Sequence, residues 1–319
     1  VNGARDPRFI AELRRVVKGE VRADESLARY STYRIGGPAT VVLPTAPEDV
    51  AATLQLAGRH GVPVFILGLG SNVLLPDEGL DAVVLRLGKG LDRIEQAGSR
   101  WRFGAGLPAP LAARKTAQGG WAGIHVMVGV PGTVGGGIYM NAGCHGGQWS
   151  DVVESVVAVD RNGESRVFSR GEIPWRYRRS GLDGWVILET TVVLEQQDPA
   201  ALAALVTKLF EWRQRGTPFN QPCCGSVFKN PDPETGRRGD EKPRTAGQLI
   251  EAAGLKGTTV GGAIVSPMHA NYFVNTGGAT AADIRKLMAQ ARDSVVERFG
   301  VTLEPEVKLI GPRGEYLTL

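Results

Sequence analysis

Two glycine-rich stretches about sixty residues apart carry the first chemical signal in this chain: Gly68-Leu-Gly-Ser-Asn-Val-Leu and Gly129-Val-Pro-Gly-Thr-Val-Gly-Gly-Gly. Each follows an apolar run, and glycine, lacking a Cβ, leaves backbone N–H groups open to a phosphate oxygen. Neither stretch ends in the Gly-Lys-Ser/Thr of a Walker A loop, and neither has the G-x-G-x-x-G spacing of a Rossmann turn. Two such cradles fit one extended diphosphate-bearing ligand held from two sides.

Groups that could do chemistry on such a ligand are less sharply marked. Ser226, in Cys224-Gly-Ser-Val-Phe-Lys-Asn230, follows a glycine but lacks the G-x-S-x-G elbow, so a turn serine bonding its own backbone stands beside a nucleophile. Arg178, in Trp175-Arg-Tyr-Arg-Arg-Ser180, is either a solvated arginine at a strand edge or a fork for a carboxylate or phosphate. Leu303-Glu-Pro-Glu-Val-Lys-Leu-Ile alternates like a strand, and its pattern does not choose between Glu304 and Glu306. His269 reads as a general base, a phosphate contact or a satisfied turn histidine, the last favoured for want of a visible partner. Cys144-His145 suggests a metal or redox pair, but two adjacent residues rarely make a site unaided.

The composition narrows the classes. At 319 residues, 42% hydrophobic and 22% charged, the chain has the make-up of a soluble enzyme of two or three domains. Three cysteines form no disulfide framework or zinc knuckle, and four histidines add no HExxH pair, so no metal is expected. The net charge of +4 is spread among acids, and Arg176–Arg179 is too short for a groove-tracking patch, so no nucleic-acid partner is expected. No apolar run has the length of a membrane span and no signal peptide is evident at residues 1–18; the expectation is a cytoplasmic protein without a membrane partner.

Periodicity supplies the supporting elements. Helices are expected at Pro7–Val17, from Pro47 to about Arg59, around Pro110–Gln118, near Ala200–Gln214, at Thr245–Ala253 and at Thr280–Phe299. The last buries Ile284, Leu287, Met288, Ala291, Val295 and Phe299 on one face, with Thr280 and Asp283 as a capping pair. Val62–Leu67, Ala82–Leu87, Trp185–Leu194, Ala270–Asn275 and Val301–Ile310 read as strands. Hairpins are expected about Ala97-Gly98-Ser99 and Arg161-Asn-Gly. Eight glycines between 129 and 147 weaken any regular element, so this stretch is expected to be ordered by its ligand and neighbours. Pro231–Arg244 is a charged Pro/Gly stretch expected to be an exposed loop.

In order along the chain, Thr32-Tyr-Arg-Ile-Gly-Gly-Pro38, Gly68-Leu-Gly-Ser-Asn-Val-Leu74, Gly129–Gly136, Asn141-Ala-Gly143 and Tyr177-Arg-Arg-Ser180 are followed by four further motifs. These are Gly225-Ser-Val-Phe-Lys-Asn-Pro231, Ala246–Gly254, His269-Ala-Asn-Tyr-Phe-Val-Asn275 and Leu303-Glu-Pro-Glu-Val307. The ordered set resembles the UDP-N-acetylenolpyruvoylglucosamine reductases, flavoenzymes of peptidoglycan precursor synthesis, over about residues 20–312. The resemblance implies a mixed α+β and α/β chain. It would comprise a two-subdomain FAD-binding fold of the vanillyl-alcohol-oxidase class, residues 1–88 and 89–205, and an α+β substrate domain, 206–319, whose terminal strand can pack back on the FAD domains.

It also implies roles. FAD would be held by Gly68, Leu69, Gly70, Ser71, Asn72, Gly129, Gly132, Thr133, Gly135 and Gly136, with NADPH as co-substrate. Ser226 matches the proton donor, adequate because a carbanion-like acceptor is a very strong base. Arg178 matches the arginine that stabilises carboxylate charge. Glu306, rather than Glu304, matches the catalytic glutamate and is expected in a protonated or hydrogen-bonding form. Lys229, Asn230, Arg213, His269 and Asn271 are substrate-binding candidates, and the protein is expected to act as a monomer. The chain looks like the shorter form, without an added tyrosine-bearing lid. It departs from the pattern at His125, at Cys144-His145 and in Pro231–Arg244, a charged loop expected to cover part of the pyrophosphate site. Other oxidases of the same flavin fold, or a nucleotide-sugar-binding protein without redox chemistry, are the alternatives.

Overall fold

The computed structural model describes residues 3–232 and 244–319, so the loop expected at Pro231–Arg244 lies almost wholly outside the described residues. The chain forms two compact units. One comprises Val1–Glu25, Ala39–Leu69 and Asp81–Arg213, the other Ser26–Pro38, Gly70–Leu80 and Gln214–Leu319.

The first unit is built on two sheets. Val64–Leu67 and Pro38–Leu43 flank Val83–Arg86, both parallel to it, and Glu20–Ser26 completes a four-stranded sheet. Sequence reading missed Glu20–Ser26 because its residues are mostly charged and only Val21 is buried. Between the parallel strands runs the helix Pro47–His60, opened by proline at its first position and closed by Gly61 in the left-handed conformation. Buried Asp49, on its first turn, accepts hydrogen bonds from the N–H groups of Lys18, Gly19 and Thr45. The expected boundary at 88 lies inside the first unit. The second sheet is five-stranded and antiparallel, in the order Ser165–Ser169, Val153–Val159, Val186–Val193, Arg100–Gly104 and Ile94–Ala97, and it contains both expected hairpins. Its inner face shares one buried cluster with Val134, Ile138 and Trp149.

The glycine-rich stretch departs from expectation. Val134–Tyr139 is a short α-helix despite three consecutive glycines. Thr133 caps it by accepting the Gly136 N–H at 3.2 Å, and packing forbids larger residues inside it: a Cβ at Gly137 would stand 2.4 Å from Trp149 Nε1. Tertiary fit overrides the poor helix propensity of glycine here.

In the second unit the helices Ala246–Ala252 and Ala281–Phe299 share a core with the antiparallel sheet Thr259–Val260, Ala263–Val265, Phe273–Asn275. The long helix buries Ile284, Leu287, Met288, Ala291 and Val295, and Thr280 and Asp283 form the expected reciprocal cap. The strand expected over Val301–Ile310 is confined to Lys308–Ile310. It pairs in parallel with Val73–Leu74, a non-local match that draws residues 70–80 away from the first ninety residues and into this unit.

Candidate active site

Gly68, at the start of the first glycine stretch, lies beside the second stretch within the first unit: a Cβ on it would lie 2.7 Å from Thr133 Oγ1. Gly70 has φ +64°, and a Cβ there would lie 2.0 Å from the carbonyl oxygen of Tyr30, so only glycine fits. Among the described residues, the backbone N–H groups of Gly68, Leu69, Gly70, Gly132 and Thr133 have no backbone acceptor. Gly68, Leu69, Gly132 and Thr133 belong to the first unit and Gly70 to the second. Gly135 and Gly136, expected to offer theirs as well, do not: the Gly135 N–H is taken by the Ala105 carbonyl at 2.9 Å and the Gly136 N–H by Thr133 Oγ1.

Gly136 nevertheless speaks for a ligand. It is exposed, and a Cβ there would meet nothing closer than 3.4 Å, so the protein itself does not require glycine. A bare, outward face beside unused donors suits a group that approaches the backbone closely, and a dinucleotide diphosphate has that shape and charge. Two substitutions separate these roles. Gly136→Ala is expected to keep or slightly raise the melting temperature, because alanine favours helix over glycine by about 1 kcal/mol, while weakening FAD retention. Gly70→Ala is expected to lose both stability and flavin. Flavin content and thermal unfolding measured on the same preparations check this, and unchanged flavin affinity in Gly136→Ala would remove Gly136 from the cradle.

Arg178 belongs to the first unit and its setting is strained. Arg176 and Arg179 close a tight turn through reciprocal backbone hydrogen bonds of 2.8 and 3.1 Å, and Arg178 sits in it at φ +56°. That conformation favours glycine, so an arginine there carries a local backbone cost. The guanidinium donates to the Gly143 carbonyl at 3.1 Å and lies 4.6 Å from the Tyr177 ring centroid. Asn141, buried and itself at φ +41°, fixes the turn from below by donating to the Arg176 carbonyl at 3.1 Å while accepting the Ser150 N–H. Its positioning role was not read from the sequence, although it lies in the Asn141-Ala-Gly143 motif.

Ser226 and Glu306 lie in the second unit on directly bonded segments. The Glu306 N–H donates to the Val227 carbonyl at 2.8 Å, and Asn72 donates its side-chain amide to the Glu306 carbonyl at 3.2 Å. Asn72 thereby ties the first glycine loop to the glutamate segment. Ser226 is half-buried and, among the described residues, makes no side-chain hydrogen bond, so the turn-serine alternative has no bond to rest on. Glu304 is exposed and pairs with the Lys229 ammonium, whereas Glu306 is half-buried, which separates the two glutamates.

The substrate-binding candidates fare unevenly. The Asn271 side chain is buried and holds the serine segment: it accepts the Phe228 N–H at 3.0 Å and donates to the Phe228 carbonyl at 2.8 Å. The Asn230 carboxamide oxygen accepts the Ala246 N–H at 3.2 Å, at the start of a helix. His269 Nδ1 accepts the Asn271 N–H at 3.1 Å, as a turn histidine does. Arg213 lies in the first unit against the second glycine loop, its Nε donating to the Gly129 carbonyl at 3.2 Å. The departures at His125 and Cys144-His145 fall together there too. Burial and then His145 lower the pKa of His125; burial and then Arg213 lower that of His145, whose ring meets Trp212 edge-on at 5.1 Å. Among the described residues no group of histidines, cysteines or carboxylates could hold a metal, and no helix is long and apolar enough to cross a membrane.

The family model described as an FAD binding domain matches residues 38–169, and with the reductase relatives that follow it makes the chain an FAD-dependent oxidoreductase. A second, described as the C-terminal domain of UDP-N-acetylenolpyruvoylglucosamine reductase, matches 217–310. The reductase of that name from Halalkalibacterium halodurans is 40% identical over 309 residues, covering 96% of this chain and 99% of the relative. That of Rubrobacter xylanophilus is 42% identical over 294 residues, 90% and 94% of the two chains. The crystal structure of the Thermus caldophilus enzyme superposes with a TM-score of 0.77 at 30% identity, covering 91% of this chain and 99% of that one. The chain belongs to the UDP-N-acetylenolpyruvoylglucosamine reductase family.

Proposed function

We propose that the chain reduces the enolpyruvyl C=C bond of UDP-N-acetylglucosamine enolpyruvate to give UDP-N-acetylmuramate, with NADPH as electron source. Residues 1–88 and 89–205 are assigned to FAD, and 206–319 mainly to the substrate. Gly68, Leu69, Gly70, Gly132 and Thr133 would hold the FAD diphosphate through backbone N–H groups, with Ser71, Asn72, Gly129, Gly135 and Gly136 shaping the loops. FAD, when bound, supplies the hydride.

The protein's own task is the charge that follows. Addition at the terminal methylene places negative charge on the ether-bearing carbon and into the adjoining carboxylate. Arg178 meets the carboxylate with its planar fork, and Glu306, in neutral form, hydrogen-bonds to it without repelling it. Ser226 gives up its hydroxyl proton to the carbon, a transfer a serine can make only to so strong a base. Lys229 and Arg213 provide positive charge for the substrate's phosphates.

The observation that carries this reading is the bond from Glu306 N–H to Val227, which joins two segments about eighty residues apart and brings the glutamate beside the serine segment. An absorbance spectrum of the purified protein, followed by NADPH and NADH oxidation assays with the enolpyruvyl nucleotide, tests it. A flavin spectrum and substrate-dependent NADPH oxidation are expected. A yellow protein that oxidises NADPH no faster when the nucleotide is added would overturn it.

A further inference from the structure

Cys224 lies two residues before Ser226 and has no part in the chemistry above. Its side chain is 2% exposed, packed in the core with Tyr33, Leu74, Val227 and Phe228. Three oxygens surround its sulfur: the Val73 carbonyl at 3.2 Å, Thr32 Oγ1 at 3.3 Å and the Gly70 carbonyl at 3.5 Å. Thr32 in turn donates its backbone N–H to Gly70 at 3.0 Å. One thiol thus touches the first glycine loop at both ends and the Thr32 segment that backs it. Burial pushes this thiol up to about 12, so it stays protonated and serves as a donor, never as a nucleophile. Cys223 faces elsewhere, toward the Pro218 carbonyl at 4.0 Å.

On the other side of Ser226, Asn271 grips Val227 and Phe228 through three hydrogen bonds: Val227 N–H to the Asn271 carbonyl at 2.8 Å and the two side-chain bonds to Phe228. Ser226 is therefore bracketed. The rear bracket is internal to the serine segment and its neighbour, whereas the front bracket is made with the cofactor loop. Gly225, at φ +73°, is the one free joint between Cys224 and the serine.

We infer that Cys224 is a positioning residue for Ser226: its buried thiol, giving its single proton to the Val73 or the Gly70 carbonyl and meeting the Thr32 hydroxyl, fixes the serine segment to the Gly70–Val73 loop, so that cofactor loop and proton donor are set in register by one side chain. This rests on the assignment of the proton to Ser226. A general acid acts only when held within hydrogen-bond reach of its acceptor, so a small slackening of the segment shows in proton transfer well before it shows in folding.

The test uses the FAD-loaded protein in single turnovers, reading flavin reduction by NADPH and reoxidation by the enolpyruvyl nucleotide separately. Cys224→Ala is expected to slow reoxidation about tenfold or more and to leave reduction unchanged. Cys224→Ser, which restores a hydroxyl donor, should recover most of the loss. Thr32→Val, which removes the partner oxygen and keeps its shape, should shift the rate in the same direction and serves if the alanine variant folds poorly. Amide hydrogen exchange supplies a readout independent of turnover: residues 70–74 and 224–228 should both exchange faster in Cys224→Ala. The deciding arm is Cys224→Ala in a Ser226→Ala background, where a residue acting through Ser226 costs nothing further. An equal slowing in that background, or wild-type reoxidation in Cys224→Ala and Thr32→Val, overturns the inference while leaving Ser226 in place. Wild-type reoxidation in Ser226→Ala alone instead removes the proton assignment, and the positioning role with it.

Discussion

Replacing Ser226 by alanine is expected to lower turnover about 10²–10⁴-fold, the range that positioned proton transfer contributes. Reduction of the bound flavin by NADPH should proceed unimpaired, because that half-reaction needs no proton from the serine. The half-buried hydroxyl makes no side-chain hydrogen bond among the described residues, so its removal strands no buried partner and the variant should fold normally. The loss therefore belongs to kcat for the enolpyruvyl substrate, with little change in melting temperature. Rapid-mixing absorbance of the two half-reactions checks this; a variant that reoxidises its flavin with substrate as fast as wild type has no proton donor at 226.

Arg178→Gly should produce nearly as large a loss, about 10²–10³-fold in kcat, the effect of removing one preorganised donor to a developing charge. Glycine is chosen for the backbone. At φ +56° arginine is held in a conformation that glycine adopts readily, so the substitution relieves strain while deleting the fork. It also gives up the 3.1 Å hydrogen bond to Gly143, and the two changes offset one another. The melting temperature is expected to stay within about 5 °C, since roughly 1 kcal/mol moves a domain of this size by only a few degrees. Activity and stability thus part company. Arg178→Lys should recover little activity, because a point charge does not reproduce a planar fork. Near-normal kcat in Arg178→Gly would show that the arginine serves the turn and not the reaction.

Local patterns were legible wherever one segment determined its own structure. The helix Ala281–Phe299 was readable from apolar spacing and from the Thr280 and Asp283 cap, and the hairpin about Arg161-Asn-Gly from its turn residues. The glycine stretches announced themselves by composition, and the family by the order of its motifs. Elements whose stability comes from elsewhere were misread. Val134–Tyr139 is a helix because Thr133, Ala105 and Trp149 fit around its glycines, and Glu20–Ser26 is a strand because a neighbour supplies its hydrogen bonds. Asn271 has the residue type of a ligand contact, and only the fold shows that its amide also bonds the Phe228 backbone.

The residue types available for chemistry, then, were written in the sequence: bare glycines, a serine after a glycine, an arginine in a polar turn, two glutamates two positions apart. Which of them are usable was decided by the tertiary structure. Among the described residues it left the amides of Gly68 and Gly132 without a backbone acceptor while consuming those of Gly135 and Gly136, and it exposed Glu304 to Lys229 while bringing Glu306 beside the serine segment. The physical reason is that each backbone and side-chain polar group has few bonds to give, and only the folded arrangement determines which neighbours have already taken them.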